Sequence, residues 1–256
     1  MPLRIFIYFF LFSAMFLSCR GGNYVPVKID NKLIPLASDC SSEAATQMND
    51  LIQPYKDSLD KVLDHVIGYA PQTLIAGQPE SSLSNFCTDA LLDYARKTTR
   101  DTIDIAVLNF GGLRKPIPQG DISLRSIFEL MPFDNEAVIV KLRAADLQEL
   151  LDTFAVKGGE PVSGLRMEIA GGKAQHIVVG GEALTAAMLL QLPAKVYTIV
   201  TSDYLLGGTD KMTAFKKSYD HRRIGILRDI FIDCIKQRSA EGKPIEAKKD
   251  GRVYEK

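Results

Sequence analysis

The chain has 256 residues, 46% of them hydrophobic and 24% charged, a balance that excludes a disordered or fibrous protein and fits a globular one with a real core. Its 31 basic and 31 acidic side chains cancel, so no broad positive field exists to hold a nucleic-acid polymer. Any anionic ligand has to be gripped by a few local positive groups.

Met1 and Arg4 give a short positive start, and Ile5 to Ser18 follow as an almost wholly apolar run. That run is shorter than the ~20 residues needed to cross a hydrocarbon core and matches the apolar region of a secretory signal. It ends in Phe16-Leu17-Ser18-Cys19, which resembles a bacterial lipoprotein processing site with Cys19 as the lipidated mature N-terminus. Residues 1–18 are expected to be a leader, 19–41 a tether with Gly21, Gly22, Asn23, Pro26 and Pro35, and 42–256 one folded domain. Export and a lipid anchor imply a cell-envelope protein. Arg20-Gly21-Gly22-Asn23, without an acidic cluster after Cys19, leans toward an outer membrane and its periplasmic face. Cys40, Cys87 and Cys234 then remain, enough for one internal bridge whose pairing the sequence does not fix. None has a cysteine or histidine at metal-ligand spacing, so no metal site is expected.

A long helix is predicted first, capped by Ser41 or Ser42, with Ala45, Met48, Leu51, Ile52, Tyr55, Leu59, Val62, Leu63 and Val66 at three-and-four spacing. A strand is expected around Thr73 to Ala76. The next helix carries Phe86, Ala90, Leu91, Tyr94 and Ala95 on one stripe, with Ser82 or Ser84 as its cap. Ile103 to Leu108, apolar and β-branched, reads as a buried strand running into the turn Asn109-Phe110-Gly111-Gly112. Ser123 caps a brief helix to Leu130. Ala137 to Leu142 reads as a strand, and Leu147, Leu150, Leu151 and Phe154 as a helix face. Leu165 to Ile169 and His176 to Val179, divided by Gly171-Gly172, form a hairpin. Val196 to Ser202 is a strand leading into Gly207-Gly208, and a final helix shows Leu227, Ile230, Phe231, Cys234 and Ile235. Alternation interrupted by hairpins gives a mixed α/β and α+β class, a mixed β-sheet covered by helices.

Nothing in the chain carries catalysis on its own. His65, on the polar side of the first helix, His176 and His221 are far apart in sequence, and nucleophile-elbow, Walker and Gly-x-Gly-x-x-Gly patterns are absent. Gly158-Gly159 and Gly180-Gly181 read as turn glycines. The unusual features are two loops placed directly after apolar strands. In the first, Asn109 ends the strand, Gly111 and Gly112 allow close backbone approach, and Arg114 adds one guanidinium, a combination suited to a phosphate or carboxylate. In the second, Tyr204 and Asp210 flank Gly207-Gly208. Phe133 stands in the polar turn Met131-Pro132-Phe133-Asp134-Asn135, and aromatic faces can sandwich a flat base.

Three segments together carry a family resemblance. Ser84-Asn85-Phe86-Cys87-Thr88-Asp89-Ala90 resembles the helix-opening motif of the 5'-nucleotidase C-terminal domain. Asn109-Phe110-Gly111-Gly112-Leu113-Arg114, with Gly120-Asp121-Ile122 and Leu130-Met131-Pro132-Phe133, is similar to that family's Asn-Gly-Gly-Gly-x-Arg segment and Leu-Pro-Phe turn. Tyr204-Leu205-Leu206-Gly207-Gly208-Thr209-Asp210 resembles its Phe-Leu-x-x-Gly-Gly-Asp loop. The resemblance spans roughly Ala76 to Ser218. It implies that Phe133 and Tyr204 sandwich a base, that Asp210 binds ribose hydroxyls, and that Asn109, Gly111, Gly112 and Arg114 face a phosphate. Two departures stand out: Phe110 replaces a glycine, and Gly77 stands where the family has an arginine three residues before Glu80.

In that family a separate N-terminal metallophosphatase domain holds two metal ions and hydrolyses the phosphate. The stretch between Cys19 and Gly77 is too short to hold such a domain, and an export signal opens the chain. The expectation is therefore a split enzyme: this chain recognises the nucleotide, while two divalent metals and the hydrolysis belong to a separate phosphatase chain. A lipid-anchored nucleoside- or nucleotide-binding protein without turnover, or a scaffold that kept the fold, are the alternatives.

Overall fold

The computed structural model describes residues 43–192 and 194–256. The leader, the tether, Cys19, Cys40 and the cap candidates Ser41 and Ser42 lie outside the described residues. The chain divides into units of residues 1–51 and 52–256. Of the first, residues 43–51 are described, and they are helical, part of α1 (Glu43–Leu63). Everything below concerns the second.

The anticipated long helix exists, but its apolar stripe is not buried: Ile52, Tyr55, Leu59 and Val62 are all exposed. The end of α1 is held instead by charge, Arg125 donating to Asp64 at 2.7 Å and to Asp60 at 2.5 Å. The helix stops at Leu63, so His65 lies not on its polar side but in the link to β1 (Val66–Ala70), where its carbonyl accepts from the Leu124 amide. Val66 is likewise strand, not helix. The strand expected at Thr73 to Ala76 shrinks to a single bridge, Leu74 to Ile117. Pro71 and Pro79 bracket that run, and the Ile75 amide is taken by the Ser82 hydroxyl, so no ladder can propagate.

Helix α2 (Ser82–Thr98) begins one residue earlier than the sequence suggests. Ser81 is its cap, with Ser84 closing a capping box that satisfies two otherwise orphaned amides. Strand β2 (Ile105–Val107) follows, then a 3₁₀ turn over Phe110–Gly112. Next come β3 (Gly120–Ser123), α3 (Leu124–Leu130, capped by Ser123 as expected), β4 (Glu136–Arg143) and α4 (Ala144–Val156). Short β5 (Val162–Ser163) precedes the hairpin β6 (Leu165–Ala170) and β7 (Lys173–Val179), then β8 (Glu182–Leu184) and α5 (Ala186–Gln191). Strand β9 (Val196–Ser202), helix α6 (Asp203–Leu206), β10 (Tyr219–Ile226), α7 (Leu227–Ala240) and β11 (Val253–Glu255) complete the chain order.

Among the described residues the main sheet has five strands in the order β10-β4-β9-β2-β5, a second has four, β11-β6-β7-β8, and β1 pairs with β3. The main sheet is mixed: β2 and β9 are parallel, and the other pairings are antiparallel. Because strand side chains alternate, Ile105 and Val107 enter one core cluster while Ala106 and Leu108 enter the other. Burial on both faces explains why β2, β4 and β9 read as continuous apolar runs. One cluster joins the sheet to α2, α3 and α7; the other joins it to α4 and the second sheet.

Residues near Arg252 fasten the layers. Its guanidinium donates to Asp89 at 2.7 Å, to Asp250 at 2.8 Å and to the Val162 carbonyl at 3.1 Å. Asn85 and Thr88, from the helix-opening motif, are structural: Asn85 donates to buried Glu80 at 2.6 Å and Thr88 to the Val162 carbonyl at 3.0 Å. Gly164 allows the tightest approach. Its φ is +76°, and a Cβ there would stand 2.0 Å from the Asp104 carbonyl oxygen. Gly164→Ala is expected to cost more than about 2 kcal/mol, combining left-handed strain with displaced sheet backbone. Urea unfolding measures it, and a loss below ~0.5 kcal/mol would contradict that packing.

Candidate nucleotide-binding site

Strand direction assembles the site. Parallel pairing of β2 and β9 sends the loops after both strands to one end of the sheet. Antiparallel β4 starts at that same end, Ala137 lying opposite Ser202, which brings in the Phe133 turn. Antiparallel β5 also starts there, Val162 lying opposite Val107, which brings in Glu160. Four loops distant in sequence therefore meet.

Residues from three of these loops enclose a cleft of about 260 Å³ lined by Asn109, Gly111, Gly112, Arg114, Phe133, Asn135 and Tyr204, close to the lower end of small-molecule sites, ~300 Å³. Six of the seven residues singled out from the sequence line it. The seventh, Asp210, stands behind Asn109, whose Nδ2 donates to its Oδ2 at 2.6 Å. Asn135 was missed: a polar residue in a polar turn carries no pattern of its own.

Each part is anchored. The Phe110–Gly112 turn is closed by the Gly112 amide donating to the Asn109 carbonyl at 3.1 Å, and the Arg114 amide donates to the Leu130 carbonyl at 2.8 Å. A Cβ on Gly111 or Gly112 would stand 3.2 Å from the Asn109 side chain, so glycine leaves Asn109 its room. Arg114 Nη1 donates to the Gly111 carbonyl at 3.3 Å, and its guanidinium is otherwise exposed. Asp203 accepts from the Tyr204 amide at 2.8 Å and the Glu136 amide at 3.1 Å, tying the loop after β9 to the start of β4. Asp134, beside Phe133, pairs with Arg228 at 2.5 Å. Phe133 and Tyr204 remain 45% and 44% exposed, rings that the core does not claim. Asp210 takes a left-handed φ of +53°, a conformation Asp tolerates better than most residues.

Phe110 does not fill the cleft. Its amide donates to Glu160 Oε2 at 3.1 Å, and Glu160, only 2% exposed, pairs with Lys157. Gly77 has open space where a side chain would stand.

Other reactive groups lie elsewhere. Cys87 and Cys234 are free thiols, and burial pushes both up, so neither is a ready nucleophile. His176 pairs with buried Glu168, and His221 meets the Ser218 hydroxyl at 2.9 Å. Among the described residues no group of three or more His, Cys, Asp or Glu side chains is placed to hold a metal ion. Clefts larger than the candidate site exist, such as one of about 440 Å³ between α2 and α7. Its acidic and basic lining residues offset one another, and none comes from the loops after β2 and β9 or from the Phe133 turn.

The Asn109–Asp210 bond links two loops across the sheet end, so its two ends should be energetically coupled. A double-mutant cycle of Asn109→Ala and Asp210→Ala, read by urea unfolding, is expected to give a coupling of about 1–2 kcal/mol. Additive losses would show that the loops are held independently.

The family described as 5'-nucleotidase, C-terminal domain, matches residues 66–217. A cell wall protein of Listeria monocytogenes is 29% identical over 220 residues, covering 78% of this chain and 28% of that protein. A trifunctional nucleotide phosphoesterase protein of Bacillus subtilis is 24% identical over 241 residues, covering 88% of this chain and 16% of its own length. The crystal structure of a 5'-nucleotidase precursor from Thermus thermophilus superposes with a TM-score of 0.67 at 25% identity, covering 82% of this chain and 43% of that one. The chain thus spans less than half the length of each of these relatives. It belongs to the 5'-nucleotidase C-terminal domain family.

Proposed function

We propose that this chain is the nucleotide-recognition half of a split 5'-nucleotidase. The base lies between Phe133 and Tyr204, and Asp210 accepts the ribose hydroxyls. Asn109, Arg114 and the amides of Gly111 and Gly112 face the phosphate. One observation carries this reading: four loops scattered over 100 residues of sequence meet at one sheet end, where two half-exposed aromatics and one guanidinium line a cleft with Asn109, which holds the Asp210 carboxylate. Aromatic faces suit a base, a carboxylate suits vicinal hydroxyls, and a guanidinium beside glycine amides suits a phosphate.

The described residues offer no donor set for a resident metal, so hydrolysis is assigned to a separate metallophosphatase chain carrying two divalent metals. We further propose that residues 1–18 are an export leader, that Cys19 is lipidated, and that 19–41 tether a domain of residues 42–256 to the cell envelope, at the periplasmic face of an outer membrane. The similarity to a protein named as a cell wall protein supports an envelope location. One observation favours a second reading, nucleoside or nucleotide capture without turnover: Arg114 is the one cation lining the cleft among the described residues, and position 77 is glycine.

Calorimetric titration with AMP, adenosine and UDP-glucose separates these readings. Micromolar binding, ~8 kcal/mol, is expected for at least one ligand and should vanish in Asp210→Ala. Phe133→Ala and Tyr204→Ala are each expected to cost about 1–3 kcal/mol of affinity, the worth of stacking one base; unchanged affinity in both sinks the sandwich. Gly77→Arg, whose Cβ would meet nothing within 4 Å, is expected to tighten AMP and leave adenosine unchanged. Turnover of AMP on mixing the chain with a metallophosphatase and divalent metal supports the split enzyme, and binding without any turnover supports capture.

A further inference from the structure

Glu160 is the most deeply buried ionisable group beside the cleft, and its position follows from the sheet. The β2–β5 ladder pairs Val107 with Val162, and one more backbone bond, from the Leu108 amide to the Pro161 carbonyl, extends it. Beyond that point the two backbones separate as residues 110–112 turn into the cleft. The Glu160 side chain takes over the next rung, its Oε2 accepting from the Phe110 amide at 3.1 Å. Its Oε1 meets Lys157, itself three-quarters buried. Gln78 holds this segment from outside, donating to the Lys157 carbonyl at 2.7 Å and to the Gly159 carbonyl at 3.0 Å.

We propose that Glu160 is a positioning residue for nucleotide recognition: its carboxylate, held by Lys157, anchors the Phe110 amide and so sets the turn that presents Gly111 and Gly112 to the phosphate and holds Asn109 against Asp210, the ribose partner, making affinity for nucleoside and nucleotide alike depend on its ionisation. The inference rests on the nucleotide reading of this cleft. Two charged groups face Glu160, Lys157 from the end of α4 and Asp210 from the loop after α6.

The energetics separate this role from a purely structural one. Burial pushes the Glu160 carboxyl above its ordinary range, outweighing Lys157 and the Phe110 amide, and Asp210 adds like-charge repulsion. A carboxyl whose folded pKa is raised binds protons more tightly in the folded state. Its contribution to stability therefore falls as pH rises from the unfolded value through the raised folded one. Once ionised, Glu160 costs stability. A group that only held the fold would lose stability when neutralised; this one should not.

The test is calorimetric titration of the chain and of Glu160→Gln with adenosine, which carries no titrating group between pH 5 and 8, and with AMP. The amide oxygen of glutamine still accepts from Phe110, but as a weaker neutral partner. At pH 8 Glu160→Gln is expected to bind adenosine roughly threefold to tenfold more weakly. The gap should close as pH falls and the native carboxyl takes up its proton. Its unfolding midpoint at pH 8 should be equal to or above that of the unchanged chain. Lys157→Met, which leaves the carboxylate without its cation, should move the pH midpoint of adenosine affinity upward. A ratio of affinities that stays constant with pH, or a Glu160→Gln midpoint that drops together with affinity, overturns the inference and leaves the nucleotide site standing. No binding of either ligand by the unchanged chain at any pH overturns the nucleotide reading and this inference with it.

Discussion

The rest of the site depends on the parallel pairing of β2 with β9, Ile105 opposite Ile199 and Ala106 opposite Val200. Had these neighbours run antiparallel, the Asn109 turn and the Tyr204–Asp210 loop would leave opposite ends of the sheet. Antiparallel β4 and β5 on either side then start where β2 and β9 finish. Ligand sites at the carboxyl ends of parallel strands follow from the same geometry. Here it is achieved in a mixed sheet with one parallel pair.

Much of this was legible in the sequence, for identifiable reasons. Strands buried on both faces, such as Val196–Ser202 and Ile105–Val107, show as apolar β-branched runs. Helices with one buried face, such as Ala144–Val156, show the 3.6-residue period. What escaped were short elements and one whose side chains face water. β10, Tyr219–Ile226, is exposed along almost its whole length and forms by pairing its backbone with β4. β5 is two residues long. The first helix errs in the other direction, with a textual apolar period but an exposed stripe, because periodicity reports a face and not what covers it.

Site residues divided in the same way. Asn109, Gly111, Gly112, Arg114, Phe133, Tyr204 and Asp210 were found because their residue types are odd at strand ends and together match a family pattern. Asn135 and Glu160 carry no such mark. Glu160 stands beside Lys157 and between ordinary turn residues, and its importance arises from burial, which only the folded chain creates. The cleft thus combines groups that are cheap to keep, the half-exposed rings and Arg114, with buried polar groups that need partners: Asn109 with Asp210, and Glu160 with Lys157 and an amide.

The clamp at Arg252 bears on the order in which the chain can acquire its structure. Arg252 meets Asp89 across 163 residues of sequence, and the Gly251 amide reaches Glu80 across 171. As the chain emerges from its N-terminal side, Glu80 and, in α2, Asp89 exist long before the amides and the cation that meet them. Closing so long a loop is entropically slow. Until it closes, buried Glu80 lacks the Asp250 and Gly251 amides that satisfy it in the folded chain. The clamp between the start of α2 and the C-terminal segment is therefore the last of these contacts to become available as the chain is made.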